Sequence, residues 1–269
     1  MHRGPEDPSG TIRRQRPGRP QEAGSAPGIG FASVPSVSNG LYSGVGAMRV
    51  AERRLEAIAA NLANIETPAY KRDTTTVRAF RLPRGERDDT GLAAHRRTDF
   101  TQGELQPSSS PFHLALSGPG FFAVEAPAGE LYTRNGTFHV DAAGVLQSAE
   151  GFPVAWASRS GTIDPIGPPV TIAADGTVRQ GPGAIGSLRL VDFDDPGALA
   201  RLGGGYFRAD GALRETSSAA EVHQGALERS NASAVDELVA MIQVQRSFEG
   251  AARLMQMIDQ SYRRLTQAG

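Results

Sequence analysis

Cysteine is absent from the 269 residues, which excludes disulfides, thiolate metal centres and cysteine nucleophiles. Lysine is nearly absent: Lys71 is the only one, and arginine carries the remaining positive charge. No apolar run approaches the ~20 residues of a membrane-spanning helix. The N-terminus begins basic but lacks the apolar core of a cleaved signal peptide. Net charge is −1, so the chain has no overall electrostatic footprint for nucleic acid or an anionic membrane. Aromatic residues make up only 6%, whereas glycine (32) and proline (18) are plentiful. Frequent turns and a lean core follow from that balance.

Two stretches near the ends share an apolar heptad rhythm. In the first, Leu41, Met48, Leu55 and Leu62 hold one heptad position, and Ala51, Ile58 and Ile65 hold the next. In the second, Met241, Phe248, Met255 and Tyr262 alternate with Val244, Ala251, Ile258 and Leu265. A seven-residue repeat keeps one seam facing a partner helix. Each stretch predicts a helix of ~37 Å with a stripe too narrow for a lone core helix. Single seams bury little, so both helices are expected to be largely disordered until a neighbour arrives. A basic polar face with aromatic anchors, the mark of a membrane-surface helix, is missing.

Five segments follow from composition and punctuation. Residues 1–36 are rich in Arg, Pro, Gly and Ser and read as a disordered leader. A start near Val37 would remove this leader. Residues 37–72 hold the first helix, stopped by Thr67-Pro68, and 73–110 read as a polar, irregular connector. From 111 to 228 the period changes to two, with Phe112, Leu114 and Leu116 alternating with His113, Ala115 and Ser117. Arg134-Asn135-Gly136-Thr137 predicts a type I′ hairpin between Leu131–Thr133 and Phe138–Val140, and Asp175-Gly176 predicts another. The last segment, 229–269, is a helix opened by the capping pattern Ser233-Ala234-Val235-Asp236. The expected class is α+β: N- and C-terminal heptad helices pairing as a coiled coil, flanking a central antiparallel β barrel- or sandwich-like module.

Catalytic signals are poor. Gly181-Pro182-Gly183-Ala184-Ile185-Gly186 matches a dinucleotide fingerprint in letters, but a strand follows it where a helix is needed. A turn is expected there. His2, His95, His113, His139 and His223 share no metal-binding spacing. Asp192, Asp194 and Asp195 close a strand. No cofactor, catalytic residue or metal ligand is expected. Asn135-Gly136-Thr137 and Asn231-Ala232-Ser233 are explained by a turn and a helix cap.

Asn61-Leu62-Ala63-Asn64-Ile65-Glu66-Thr67-Pro68-Ala69-Tyr70-Lys71 resembles the signature that closes the first helix of the flagellar rod and hook proteins. Within it, Asn61 and Asn64 are placed to bond exposed carbonyls at the helix end. Three further blocks agree in order. Leu114 to Val154 contains Gly-Pro-Gly-Phe-Phe at 118–122 and Tyr-Thr-Arg-Asn-Gly at 132–136. The second joins 171–177 to 186–191, and the third joins 225–231 to 241–249. The middle is most similar to the proximal-rod branch, then to the distal-rod branch. Ala69 stands where the family prefers glycine, so a turn avoiding positive φ is expected. His113 stands where the family often has aspartate.

The resemblance implies an axial subunit of the flagellar rod that transmits torque from motor to hook. It implies export by the flagellar type III apparatus to the periplasmic rod. The implied partners are copies of itself, other rod or hook subunits and the export apparatus, without nucleic acid, membrane insertion or a small-molecule substrate. The assembly seam would be Leu41, Met48, Leu55, Ile58, Leu62 and Ile65 against Met241, Val244, Phe248, Met255, Ile258 and Leu265. The family motif residues are Asn61, Leu62, Asn64, Thr67, Pro68, Tyr70 and Lys71. The rival classes are a hook component, and a small β-domain carbohydrate-binding protein or hydrolase with helical oligomerisation arms.

Overall fold

Periodic apolar residues make the two termini helical, α1 (Val37–Ala63) and α2 (Ala234–Gln267). This computed structural model describes residues 37–84, 87–211 and 213–267, and leaves out the side chains of 37–43, 81–91, 262, 265 and 266. The leader expected over residues 1–36 lies outside the described residues. Ser233 caps α2, its hydroxyl accepting from the Asp236 amide at 3.4 Å, as the capping pattern predicts. The helices run in opposite directions: Asn61 near the end of α1 meets Glu237 at the start of α2, while Gly44 lies beneath Met255. Ala51, Ile58 and Val244 form a small buried cluster between them, flanked by Leu55, Ala240, Met241 and Phe248.

Contrary to the expectation of largely disordered helices, both are continuous in the single chain. The physical reason is a second cover for α1. Strands β1 (Asp73–Arg84) and β2 (Arg87–Thr98) form an antiparallel hairpin twelve residues per arm, and both lie against α1. Residues 73–98, read as irregular, are thus ordered by pairing. Thr74, Thr75, Thr76 and Val77 supply β-branched side chains suited to a pleated surface, a signal masked by the polar composition.

Between the helices the chain is mostly β, and every pairing is antiparallel. Strand β3 (Leu105–Pro107) pairs with Ala226–Glu228, and β4 (Leu114–Ser117) with Glu221–Gln224. A curled six-stranded sheet has β5 (Phe121–Ala126) and β6 (Gly129–Thr133) at its centre. Leu190–Phe193 and Glu215–Ser217 continue it on one side, Tyr206–Arg208 and Ala200–Arg201 on the other. A four-stranded sheet runs in the order Val170–Ile172, Thr177–Gln180, Gly183–Leu188, Trp156–Arg159.

β5 is buried on both faces because it separates two cores. Phe122 and Val124 join an aliphatic core with Leu114, Leu116, Leu146 and Val178. Phe121 and Ala123 join an aromatic one with Tyr132, Phe193 and Phe207, where Phe121 meets Phe193 edge-on at 5.9 Å. Two local expectations fail. Ala115 is as fully buried as Leu114 and Leu116, so β4 is covered on both faces. Arg134–Thr137 is no hairpin: β6 pairs with β5 and Tyr206–Arg208, while His139–Val140 pairs with Leu146–Gln147. Asn135 instead makes a local turn, accepting from Thr137 N at 3.1 Å. Asp175-Gly176 does join Val170–Ile172 to Thr177–Gln180, and Gly181-Pro182 is the expected turn.

Candidate functional site

The motif that ends α1 builds a buried polar knot with residues from the far end of the chain. Asn64 Nδ2 donates to Ala60 O at 2.8 Å, satisfying a helix-end carbonyl as expected. Thr67 Oγ1 donates to Asn64 Oδ1 at 3.1 Å. Asn61 does something else. Its Nδ2 donates to Asp73 O (2.9 Å) and Glu237 Oε1 (3.1 Å), and its Oδ1 accepts from Asp73 N (2.8 Å) and Tyr70 OH (3.2 Å). Both donors and both lone pairs are used, so this buried amide ties α1, β1 and α2 together.

Ala69 takes a left-handed conformation, φ 54°, correcting the expectation that alanine would avoid it. The surroundings hold it there: its N–H donates to Glu228 O at 2.7 Å and its side chain is buried. Residues kept at positive φ persist where neighbours over-determine them.

Lys71, the sole lysine, is fully buried. Its Nζ lies 2.6 Å from Glu228 Oε1 and 2.7 Å from Thr101 O. Glu228 is also sealed, accepts from Gly103 N at 2.8 Å, and has Arg134 Nε 3.4 Å from its other oxygen. Burial lowers the pKa of Lys71 below the ordinary lysine value, and the Glu228 charge opposes that shift. Arg134 is lowered for the same reason. An ammonium so enclosed cannot reach a substrate, so its chemistry is electrostatic.

Asn231 closes the knot from the C-terminal side. Its Oδ1 accepts from Arg72 N at 2.7 Å, and its Nδ2 donates to Asp99 O and Thr101 O at 2.9 and 3.0 Å. Glu237, in the first turn of α2, takes Arg72 Nε at 2.6 Å, a placement the helix dipole also favours.

Of the motif residues, Asn61, Tyr70 and Lys71 converge here, whereas Leu62, Thr67 and Pro68 are half-buried and hold the turn. Glu228, Asn231, Glu237, Arg134 and Asp73 were not foreseen. The available signal was that four of them sit inside or beside the family blocks as charged or amide residues. Along the expected seam, Ile58 and Val244 are buried, with Leu55, Met241 and Phe248 packed beside them. Met48, Leu62, Ile65, Met255 and Ile258 are half-buried. Leu41 and Leu265 lie in the helices, but their side chains fall outside the described ones. A different stripe of α2, Val235, Leu238, Val239 and Ile242, is exposed, as are Leu254 and Met257.

A groove of about 800 Å³ on the β module is bordered by Asp175, Arg189, Glu215 and Glu221. Glu215 is engaged by Arg189 at 2.7 Å and by the Tyr132 hydroxyl. Among the described residues no group of three His, Cys, Asp or Glu is placed to hold a metal ion, and no helix is long and apolar enough to cross a membrane. His113 Nδ1 meets Ser108 Oγ at 2.6 Å.

Three family profiles match in chain order: "Flagella basal body rod protein" over residues 41–71, "Flagellar hook protein FlgE/F/G D1 domain" over 115–180, and "Flagellar basal body rod FlgEFG protein C-terminal" over 223–268. The flagellar basal-body rod protein FlgF of Caulobacter vibrioides is 35% identical over 231 residues, covering 81% of this chain and 93% of that protein. FlgF of Mesorhizobium japonicum is 32% identical, with 81% and 92% covered. FlgG of Buchnera aphidicola (subsp. Schizaphis graminum) is 31% identical, with 79% and 93% covered. The polar knot joins residues drawn from all three matched segments, and with these similarities it shows that the chain belongs to the flagellar basal-body rod protein family.

Proposed function

We propose that this chain is a structural axial subunit of the bacterial flagellar rod, which assembles through its terminal helices and carries torque from motor to hook. The observation that carries the reading is the unfinished burial of α2. Val235 is 70% exposed, and Leu238, Val239 and Ile242 are about half exposed, at 48, 49 and 50%. These positions are spaced i, i+3, i+4, i+7 and so share one helix face. One side of α2 is satisfied by α1 within the chain; the other awaits a neighbour. A contact between two different faces that does not close into a ring builds a helical filament. The inner seam, pairing as a coiled coil, would set the width of each subunit, and the outer stripe would set the packing between subunits.

The Caulobacter and Mesorhizobium FlgF proteins, at 35 and 32% identity against 31% for the Buchnera FlgG, support a proximal rather than distal place. Periplasmic location, export by the flagellar type III system, other rod or hook subunits as partners and the lack of an enzymatic role belong to the same reading. Electron microscopy of basal bodies from an in-frame deletion strain tests it. A rod that stops near its base, restored by the intact gene, is the expected result. A rod complete except for its outer segment would move the subunit to the distal position. Intact, motile flagella in the deletion strain would overturn the reading.

A further inference from the structure

Arg201 belongs to none of the motif blocks and lies between the segments matched by the family profiles. It sits on the outermost strand of the six-stranded sheet, Ala200–Arg201, paired with Phe207. From there it reaches the turn that follows α1. Its guanidinium carbon lies 4.5 Å from the Tyr70 ring centroid and 5.6 Å from that of Phe207. One nitrogen is 2.8 Å from Asp73 Oδ2, and the other donates to the Lys71 carbonyl. A flat cation can stack and make directed hydrogen bonds at once, which an ammonium cannot.

We infer that Arg201 is a positioning residue, a brace that fixes the tilt of the β module against the helix pair. The β3 pairing with Ala226–Glu228 is three residues long on each side, and Phe100, just after β2, packs on Phe121 and Phe207 of the sheet; these contacts are apolar or backbone. Among the described residues, Arg201 and Arg134 are charged side chains that reach from the six-stranded sheet region to the knot, and Arg134 acts through Glu228. Arg201 alone of the two grips the chain leaving the motif directly, at the Tyr70 ring, the Lys71 carbonyl and Asp73, the first residue of β1. In a rod, that tilt would decide where each β module meets its neighbours; this consequence rests on the rod-subunit reading, whereas the brace itself does not.

The lack of cysteine allows spin labels at Arg53→Cys and Glu125→Cys, both exposed, on α1 and β5 of the full chain. Pulsed electron resonance should give one narrow distance distribution in the parent. Arg201→Ala should lose that narrowness with helix content by circular dichroism unchanged. Arg201→Lys, which keeps the charge near Asp73 without the flat face, should restore it in part. An Arg201→Ala distribution as narrow as the parent's overturns the brace. Should Arg201→Ala lose helix content, Arg201→Lys decides alone: a parent-like width again overturns it, and a broadened one upholds it. Broadening combined with intact flagella in the deletion strain would keep the brace and reject the rod reading.

Discussion

Lys71 and Glu228 stand 157 positions apart in sequence and 2.6 Å apart in space, both without exposure. Breaking a buried ion pair from one side strands a charge, at about 3–5 kcal/mol. Glu228→Gln should cost that much, because it leaves Lys71 and Arg134 facing each other. Lys71→Met with Glu228→Gln should cost less than the two single changes added, by roughly 0.5–3 kcal/mol of coupling. Urea midpoints read this; additive costs would mean that the two groups do not act as a pair. The sign of the pH effect follows from burial. The Lys71 pKa is lowered in the folded chain, so between that value and 10.5 the unfolded state binds more protons. Stability relative to Lys71→Met therefore rises with pH across that window. At Ala69 the terms nearly cancel. Glycine would relieve roughly 1–2 kcal/mol of left-handed strain but lose about 0.5–1 in backbone entropy and a buried methyl worth about 0.8. Ala69→Gly should lie within about 1 kcal/mol of the parent, whereas the β-branched Ala69→Val should cost more than about 2. Denaturation curves separate the two.

At the scale of elements, Gly136 shows why the Asn-Gly signal misled. The pair announces a two-residue hairpin, but Gly136 is needed for closeness: a Cβ there would lie 1.7 Å from the Leu114 carbonyl oxygen. The Leu114 amide donates to Gly136 O at 3.0 Å, so the two backbones are locked edge to edge. Gly136→Ala should cost about 1–3 kcal/mol or more, since backbone cannot yield as a side chain can. A normal unfolding midpoint in that variant would contradict the close approach. Helix ends were legible because caps and proline act locally: Ser233 and Thr67-Pro68 bracket the ends. The β1–β2 hairpin was not, because its order comes from α1 lying against it. Nor was the double burial of β4, since alternation of apolar and polar residues says nothing about a second layer.

For the whole molecule, the two apolar faces of α2 make separable claims. Val244 is buried against Ala51 and Ile58, so Val244→Asp should destabilise the monomer by several kcal/mol, as any unpaired charge in a core does. Leu238→Asp and Ile242→Asp lie on the exposed stripe and should change monomer stability by no more than about 0.5 kcal/mol. They should nevertheless block incorporation into the rod, seen as loss of motility with normal protein levels. Motile cells carrying both exposed-stripe changes would show that this stripe is not the assembly surface. Leu55→Asp falls between: it should block incorporation while the β module stays folded, because its cluster is separate from the two β cores.

The sequence by itself determined the helices, most of the turns and the family, because periodicity, capping and motif order are written in neighbouring residues. It also marked Ile58 and Val244 as apolar heptad positions, and both are buried in the cluster between the helices. The tertiary structure decided which polar residues meet. Glu228, Asn231 and Glu237 look like ordinary surface residues in a linear reading, and the motif residues Asn61 and Lys71 carry no hint of whom they meet, since partners more than 150 positions apart leave no local trace. It also decided that α1 would be covered twice, by α2 and by the hairpin. That left the outer face of α2 as an exposed apolar stripe, because a helix offers a neighbour only what its own fold has not already covered.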